Sequence, residues 1–200
     1  EAVTGKPFDE YVREQFYETL NMVTTTYKPR ERFELNNIVP TETEKHFRMQ
    51  QIHGDVHDEG AAMFGGVAGH AGLFSNAYDL AQLYQMLLNG GTLNGKQFLK
   101  KETIEKFTSY QSDISRRGLG FDKPEKDNAT RKEAYPSKSA SAQTFGHTGF
   151  TGICVWVDPQ YKLIYIFLSN RVTPTRNNNK LGQLNVRPNI QEAIYSAIIQ

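Results

Sequence analysis

Apolar residues return every fourth position over residues 7–20, where Phe8, Val12, Phe16 and Leu20 line one face and Pro7 suits a first turn. That spacing predicts an amphipathic helix. Residues 21–60 are polar and aperiodic, with Pro29 and Pro40, and read as loop with short turns. A glycine-dense block, Gly65-Gly66-Val67-Ala68-Gly69-His70-Ala71-Gly72-Leu73-Phe74, follows and allows close approach of backbone to backbone or ligand. Asn76 with Asp79 predicts an N-cap, and Leu80, Leu83, Tyr84, Leu87 and Leu88 predict the helix behind it, stopped by Gly90-Gly91. A shorter helix is predicted over 101–109. Residues 110–145 read as charged loop with one strand at 118–121, and 137–144 as a loop of small residues.

The strongest strand signals are 152–157 and 162–168, two nearly continuous apolar runs joined by the turn-forming Asp158-Pro159-Gln160-Tyr161. Their unbroken apolar character predicts a sheet covered on both faces. Asn189 with Glu192 predicts the cap of a last helix bearing Ile190, Ile194, Ala197 and Ile198. Helix and loops first, then a hairpin and a terminal helix, give an α+β fold class with an antiparallel sheet and flanking helices.

Composition narrows the function classes. With 200 residues, 22.7 kDa and 38% hydrophobic residues, the chain has enough apolar material for a core, which argues against intrinsic disorder. Lys plus Arg number 23 against 22 Asp plus Glu, so no nucleic-acid or anionic-membrane partner is indicated. The longest apolar run, Leu163 to Leu168, is far short of the roughly 20 residues of a membrane-spanning helix. A single cysteine, Cys154, excludes an internal disulfide and a Cys-rich zinc site. The chain opens on Glu1 without an initiator Met and reads as a segment of something longer.

Three places could carry chemistry. In Gly146-His147-Thr148-Gly149-Phe150-Thr151-Gly152, a histidine, hydroxyls and glycines precede the best strand. They could set a donor or base beside backbone amides, or simply form a hydrogen-bonded turn. In the cluster His53, Asp55, His57, Asp58 and Glu59, with His70 beyond, two histidines at helical spacing could hold zinc. Gly54 and Gly60 and the missing Glu of a His-Glu-x-x-His motif favour a loop network instead. In Asn170-Arg171, just past the second strand, the guanidinium could grip a substrate carboxylate or pin its own loop through backbone carbonyls. No Ser-x-x-Lys, Tyr-x-Asn, Gly-x-Ser-x-Gly or Gly-x-x-x-x-Gly-Lys-Ser/Thr phosphate loop occurs, and Cys154 lies within an apolar strand, where a thiol is packing.

These residues resemble the C-terminal part of the serine β-lactamase and penicillin-binding-protein superfamily, on its class C and esterase-like side. The glycine block running into Asp79-Leu80-Ala81 resembles that family's lead into a helix. His147-Thr148-Gly149 is similar to its third motif, Lys-Thr-Gly, in a His-x-Gly variant, and 153–170 resembles the hairpin that follows. Val56-His57-Asp58-Glu59 and Asn170-Arg171-Val172 resemble a subgroup often fused to family 3 glycoside hydrolases in Bacteroidetes. The resemblance implies a partial β-lactamase/transpeptidase-like domain over residues 1–200, with the nucleophile-bearing part, the first strands and a terminal helix packed on the sheet lying outside it.

It further implies acyl transfer by a Ser from Ser-x-x-Lys, with Lys and Tyr managing protons. His147 takes the third motif's cationic position, Phe150 offers one oxyanion-hole amide, and Thr148 and Gly149 complete the catalytic strand edge. Arg171, His57 and Asp58 are the expected substrate-binding residues. No cofactor or metal is implied. The partner is a small-molecule or peptide substrate, either a cell-wall-derived peptide, a small ester or a β-lactam. The location by family analogy is periplasmic or otherwise extracytoplasmic. The fragment alone is expected to be inactive and to expose apolar surface through which it could dimerise. Two other readings stand beside this one: a non-catalytic module that binds peptidoglycan fragments or supports a neighbouring glycosidase, and a metal-dependent hydrolase using His53, His57 and His70.

Overall fold

The computed structural model describes residues 1–199. The chain forms two compact units, residues 1–83 with 168–179, and residues 84–167 with 180–200. Helices and small antiparallel sheets together make an α+β fold.

In the first unit the predicted N-terminal helix is α1, Phe8–Val12, continued by a π-helical turn at Arg13–Tyr17. The wider turn inserts one extra residue and rotates the following face by about 100°. Tyr17 therefore becomes the buried aromatic, with Leu20 beneath it, while Phe16 is only half-buried. The polar stretch read as loop holds a short hairpin, β1 (Pro40–Thr43) with β2 (Gln51–His53). It escaped the sequence because its strands are polar and bulged. What fixes it is side-chain bonding: Glu44 is buried, and its carboxylate accepts from the amides of His46, Phe47 and Arg48, closing the hairpin loop. Helix α2, Glu59–Met63, is capped by Asp58, which accepts from Ala61 N at 2.8 Å.

The glycine block then doubles back. A Cβ on Gly72 (φ +113°) would lie 2.3 Å from Gly66 O, so only glycine fits there. Phe74 exchanges two backbone hydrogen bonds with Thr26 beyond it. Helix α3, Ala77–Leu88, starts as predicted, with Asp79 N donating to Asn76 Oδ1 at 2.8 Å. Buried Asp79 in turn accepts from Thr24 N, Thr24 Oγ1 and Thr25 Oγ1 at 2.8–2.9 Å.

The second unit is built on β6, Cys154–Asp158, whose five residues are all buried. It pairs antiparallel with β5 (Phe145–Thr148) on one edge and β7 (Leu163–Phe167) on the other. Helix α4, Lys101–Thr108, follows the two-stranded ribbon of β3 (Thr92–Leu93) and β4 (Lys96–Gln97). The strand predicted at 118–121 does not form. Only Asp122 bridges to Gly146, because Gly118 N turns back onto Phe121 O and Gly120 (φ +81°) breaks the extended conformation between them.

The turn α5, Lys180–Gln183, leads to α6, Val186–Ile198. The cap of α6 is Asn185 rather than Asn189: Pro188 falls in the first turn, where its missing N–H costs nothing, so the helix begins earlier than predicted. Glu192 instead binds Ser139 N and Oγ at 2.9 and 2.5 Å. Ile194 packs on the cluster of Cys154, Trp156 and Tyr165, and Tyr195 donates to Asp158 at 2.6 Å. Helix α6, the last helix predicted from the sequence, thus packs on this sheet.

Two buried charges make stability depend on pH. Burial alone would raise the Glu44 carboxyl, but the amides of Arg48, Phe47 and His46 outweigh it and bring the group down from 4.5 to about 2. Its contribution is present above 4.5 and lost as pH falls toward 2. Urea unfolding of Glu44→Gln should show a deficit at neutral pH that closes across that acid window. Lys123, buried and donating to Thr144 O at 3.0 Å, is pushed down by burial from 10.5 to about 8, with Asp158 opposing. Here the unfolded chain holds the extra proton, so stability should rise between pH 8 and 10.5, by at most about 1.4 kcal/mol per pH unit. Lys123→Met should abolish that rise.

Candidate active site

The motif strand β5 owes its geometry to two glycines. A Cβ on Gly146 would fall 2.0 Å from Val155 O, and one on Gly149 would fall 2.5 Å from Ile153 Cγ1. Gly149 N donates to Ile153 O at 2.8 Å, and Gly152 N to Gly149 O at 3.1 Å, so residues 149–152 form a tight turn between β5 and β6. Phe150 sits at its tip with 59% of its surface exposed. Asp122 covers the outer edge of β5 at Gly146. Beyond that bridge, no strand pairs with the outer edge at His147–Thr148 among the described residues. The register places His147 opposite Val155 and Thr148 opposite Cys154.

Beneath this strand lies a network that the sequence did not announce. Asp122, 2% exposed, accepts from Arg116 Nε at 2.9 Å and from the Tyr135 hydroxyl at 2.8 Å. The Arg116 guanidinium stacks 4.5 Å from the Tyr135 ring centre and binds Glu125 at 2.9 Å. Burial would raise the Asp122 carboxyl, but the bonds from Arg116 and Tyr135 and the charges of Arg116 and Arg117 hold it below the usual range. Burial, reinforced by Asp122, pushes the Tyr135 phenol up to about 12. A cavity of about 40 Å³ lies behind the strand, with Thr148, Tyr135, Trp156, Arg187 and Gln191 in its wall.

His147 is exposed, and Arg117 reaches it from 30 residues upstream: Arg117 Nη1 lies 2.9 Å from His147 Nε2, and His147 Nδ1 lies 2.7 Å from Thr148 O. Arg117, Asp122 and Tyr135 carry no motif of their own. The only signal for them was the density of charge in the 110–145 loop.

The other expected site residues belong to the first unit and bind the protein itself. His57, 8% exposed, has Nε2 2.9 Å from Glu42 Oε2. Glu42 also accepts from Arg176 N at 2.9 Å and Nε at 2.6 Å, and Arg176 reaches Glu59 at 2.6 Å. Burial would raise the Glu42 carboxyl, yet the bonds from Arg176 and His57 bring it down. Asp58 caps α2 and meets His70 Nε2 at 3.2 Å. Arg171 Nη1 donates to the carbonyls of Arg176 and Asn178 at 2.9 and 3.1 Å. His53 and His57 do not share a helix face: His53 is on β2 with Nε2 2.6 Å from Ile38 O, and Gly54 (φ +77°) turns the chain between them. Cys154 is buried in β6, and burial pushes its thiol up to about 11.

Residues 1–186 match the β-lactamase family profile. A protein of Escherichia coli K12 described as "Putative D-alanyl-D-alanine carboxypeptidase" is 36% identical over 221 aligned positions, covering all of this chain and 50% of that protein. A Salmonella enteritidis protein of the same description is 34% identical over 95% of this chain and 45% of its own length. The chain therefore spans about half of the curated relatives it matches. Among solved structures, a Mycobacterium bovis β-lactamase aligns with a TM-score of 0.62 at 21% identity, covering 98% of this chain and 58% of that one. A penicillin-binding-protein homologue from Caulobacter crescentus aligns with a TM-score of 0.55 at 21% identity, over 84% and 48% respectively. At such identity these two similarities speak to the fold.

Tyr135→Phe removes one donor from buried Asp122. Urea unfolding at neutral pH should register a loss of about 1–3 kcal/mol, while Tyr110→Phe, whose hydroxyl donates to Pro124 O, should cost less because no buried charge is left under-bonded.

Proposed function

Because the chain belongs to the β-lactamase family, we propose that its 200 residues are the C-terminal portion of one serine hydrolase domain that transfers an acyl group from an amide or ester. The observation that carries this reading is His147-Thr148-Gly149 on the uncovered edge of β5, running into the tight 149–152 turn. A substrate carbonyl laid along that edge would meet the Phe150 amide, with Tyr135, itself bonded to Asp122, lining the small cavity behind Thr148. In this proposal a serine outside these 200 residues attacks the carbonyl. The C–N or C–O bond breaks, the leaving group takes a proton from the catalytic base, and water later releases the acyl group.

The naming of the relatives supports a D-alanyl peptide of cell-wall origin as substrate, with a small ester or β-lactam as the other acyl donors to try. A cell-wall substrate would place the protein in the periplasm. No helix among the described residues is long and apolar enough to cross a membrane. The narrower likeness to the subgroup fused to glycosidases rests on Val56-His57-Asp58-Glu59 and Asn170-Arg171-Val172. In the first unit His57 and Glu59 are joined through Glu42 and Arg176, whose carbonyl accepts from Arg171. Met63 and Phe64, 70% and 76% exposed, are the apolar surface on which we would place a dimer contact.

A second reading, a binding or scaffolding module beside a glycosidase, draws on the lack of Ser-x-x-Lys and Tyr-x-Asn within these residues. Treating the 200-residue chain and a longer product of the same gene with a fluorescent penicillin and a fluorophosphonate, then weighing both intact, separates the two. The expected result is a covalent adduct on the longer product alone. An adduct on the 200-residue chain would overturn the placement of the nucleophile, and no adduct on either would favour the binding module.

A further inference from the structure

The two nitrogens of His147 are each committed by the chemistry of what they face. A guanidinium can only donate and a carbonyl oxygen can only accept. With Arg117 Nη1 at 2.9 Å from Nε2 and Thr148 O at 2.7 Å from Nδ1, Nε2 must offer its lone pair and Nδ1 must carry the proton. We propose that Arg117 is a positioning residue that holds His147 as the neutral Nδ1–H tautomer, and that the positive charge at this strand edge resides on Arg117 rather than on the imidazole.

The surroundings support such a division. Arg117 is about half exposed, with Nε 3.9 Å from buried Asp122, whose nearer partners are Arg116 and Tyr135. Arg116, which also binds Glu125, is the nearer cation to Asp122, and Arg117 Nη1 is given to His147. A second proton on the ring would place N–H against the N–H of a guanidinium, which is repulsive. While Arg117 occupies Nε2, the ring cannot accept a proton from elsewhere through that atom. A guanidinium does not titrate in the range where imidazoles do.

The meaning of this arrangement for acyl transfer rests on the function proposed above, but the tautomer does not. Its test needs no activity. The 200-residue chain, with ring ¹⁵N-labelled histidine, is studied by two- and three-bond ¹⁵N–¹H correlation at about pH 8.5, where an ordinary imidazole is neutral. His147→Gln identifies the signals. The expected pattern is a protonated Nδ1 and an unprotonated Nε2 for His147; a protonated Nε2 in the unaltered chain would overturn the proposal outright.

Arg117→Met, at a half-exposed position, should shift the tautomer ratio toward Nε2–H by about three- to tenfold, the scale of one partly solvated charge-assisted hydrogen bond. Arg117→Lys, which restores a charged donor, should recover part of that shift. An unchanged ratio in Arg117→Met would show that Thr148 O alone sets the tautomer and would remove Arg117 from the assignment. A failure of the longer protein to form an acyl-enzyme would leave these spectra unaffected, so the two ideas fail separately.

Discussion

Burying every residue of β6 is the constraint from which the second unit follows. A strand with no exposed face must find hydrogen bonds for both edges and apolar cover for both sides, since an unpaired buried amide or carbonyl costs as much as any contact gains. β5 and β7 satisfy the edges. The ring of Tyr135, edge-on to Trp156 at 5.4 Å, and Ile194 from α6 supply cover. The motif strand is therefore fixed from one side by an element that cannot move without exposing Trp156. Rigid support of that kind is what a preorganised strand edge requires.

Buried carboxylates do the corresponding work where apolar contacts are sparse. Glu42, Glu44, Asp79, Asp122 and Asp158 are all buried, and each accepts several hydrogen bonds from backbone amides, hydroxyls or arginine. A carboxylate so surrounded recovers its lost hydration and fixes loop segments that have no periodic pattern. Asp158 shows the economy of the device: it accepts from Ser141, Gln160 and Tyr195 and so ties a loop, its own turn and α6 together. Removing any one of these acids would strand several donors at once.

The arrangement at His147 shows how the role of a histidine depends on its neighbours. A lysine carries its own charge, whereas an imidazole needs a partner to fix its tautomer. In this chain the nearest donor is a guanidinium from the loop after α4. His57 has a similar dependence in the first unit, where Glu42 accepts from its ring and Arg176 balances the acid. In both places the histidine is read correctly only with its neighbours.

The sequence by itself determined the elements with strong periodicity or turn chemistry. The β6–β7 hairpin, α3 with its Asn76 cap, α4, and the glycine-bounded turn after β5 all follow from local patterns that tertiary packing did not override. The family was also legible, because glycines and motif residues mark backbone positions that admit little substitution. Tertiary structure decided the rest. The β1–β2 hairpin is held by Glu44 and by Thr173 and Asn170 bonding to Pro40, contacts 130 or more residues apart in sequence. Helix α6 starts after Asn185 rather than after the asparagine four positions on. Arg117, Asp122 and Tyr135 converge on His147 and Thr148 from an aperiodic loop. Local patterns report the conformation of a few neighbouring residues, whereas a charge network is defined only when distant segments meet, and no periodicity in the chain encodes that meeting.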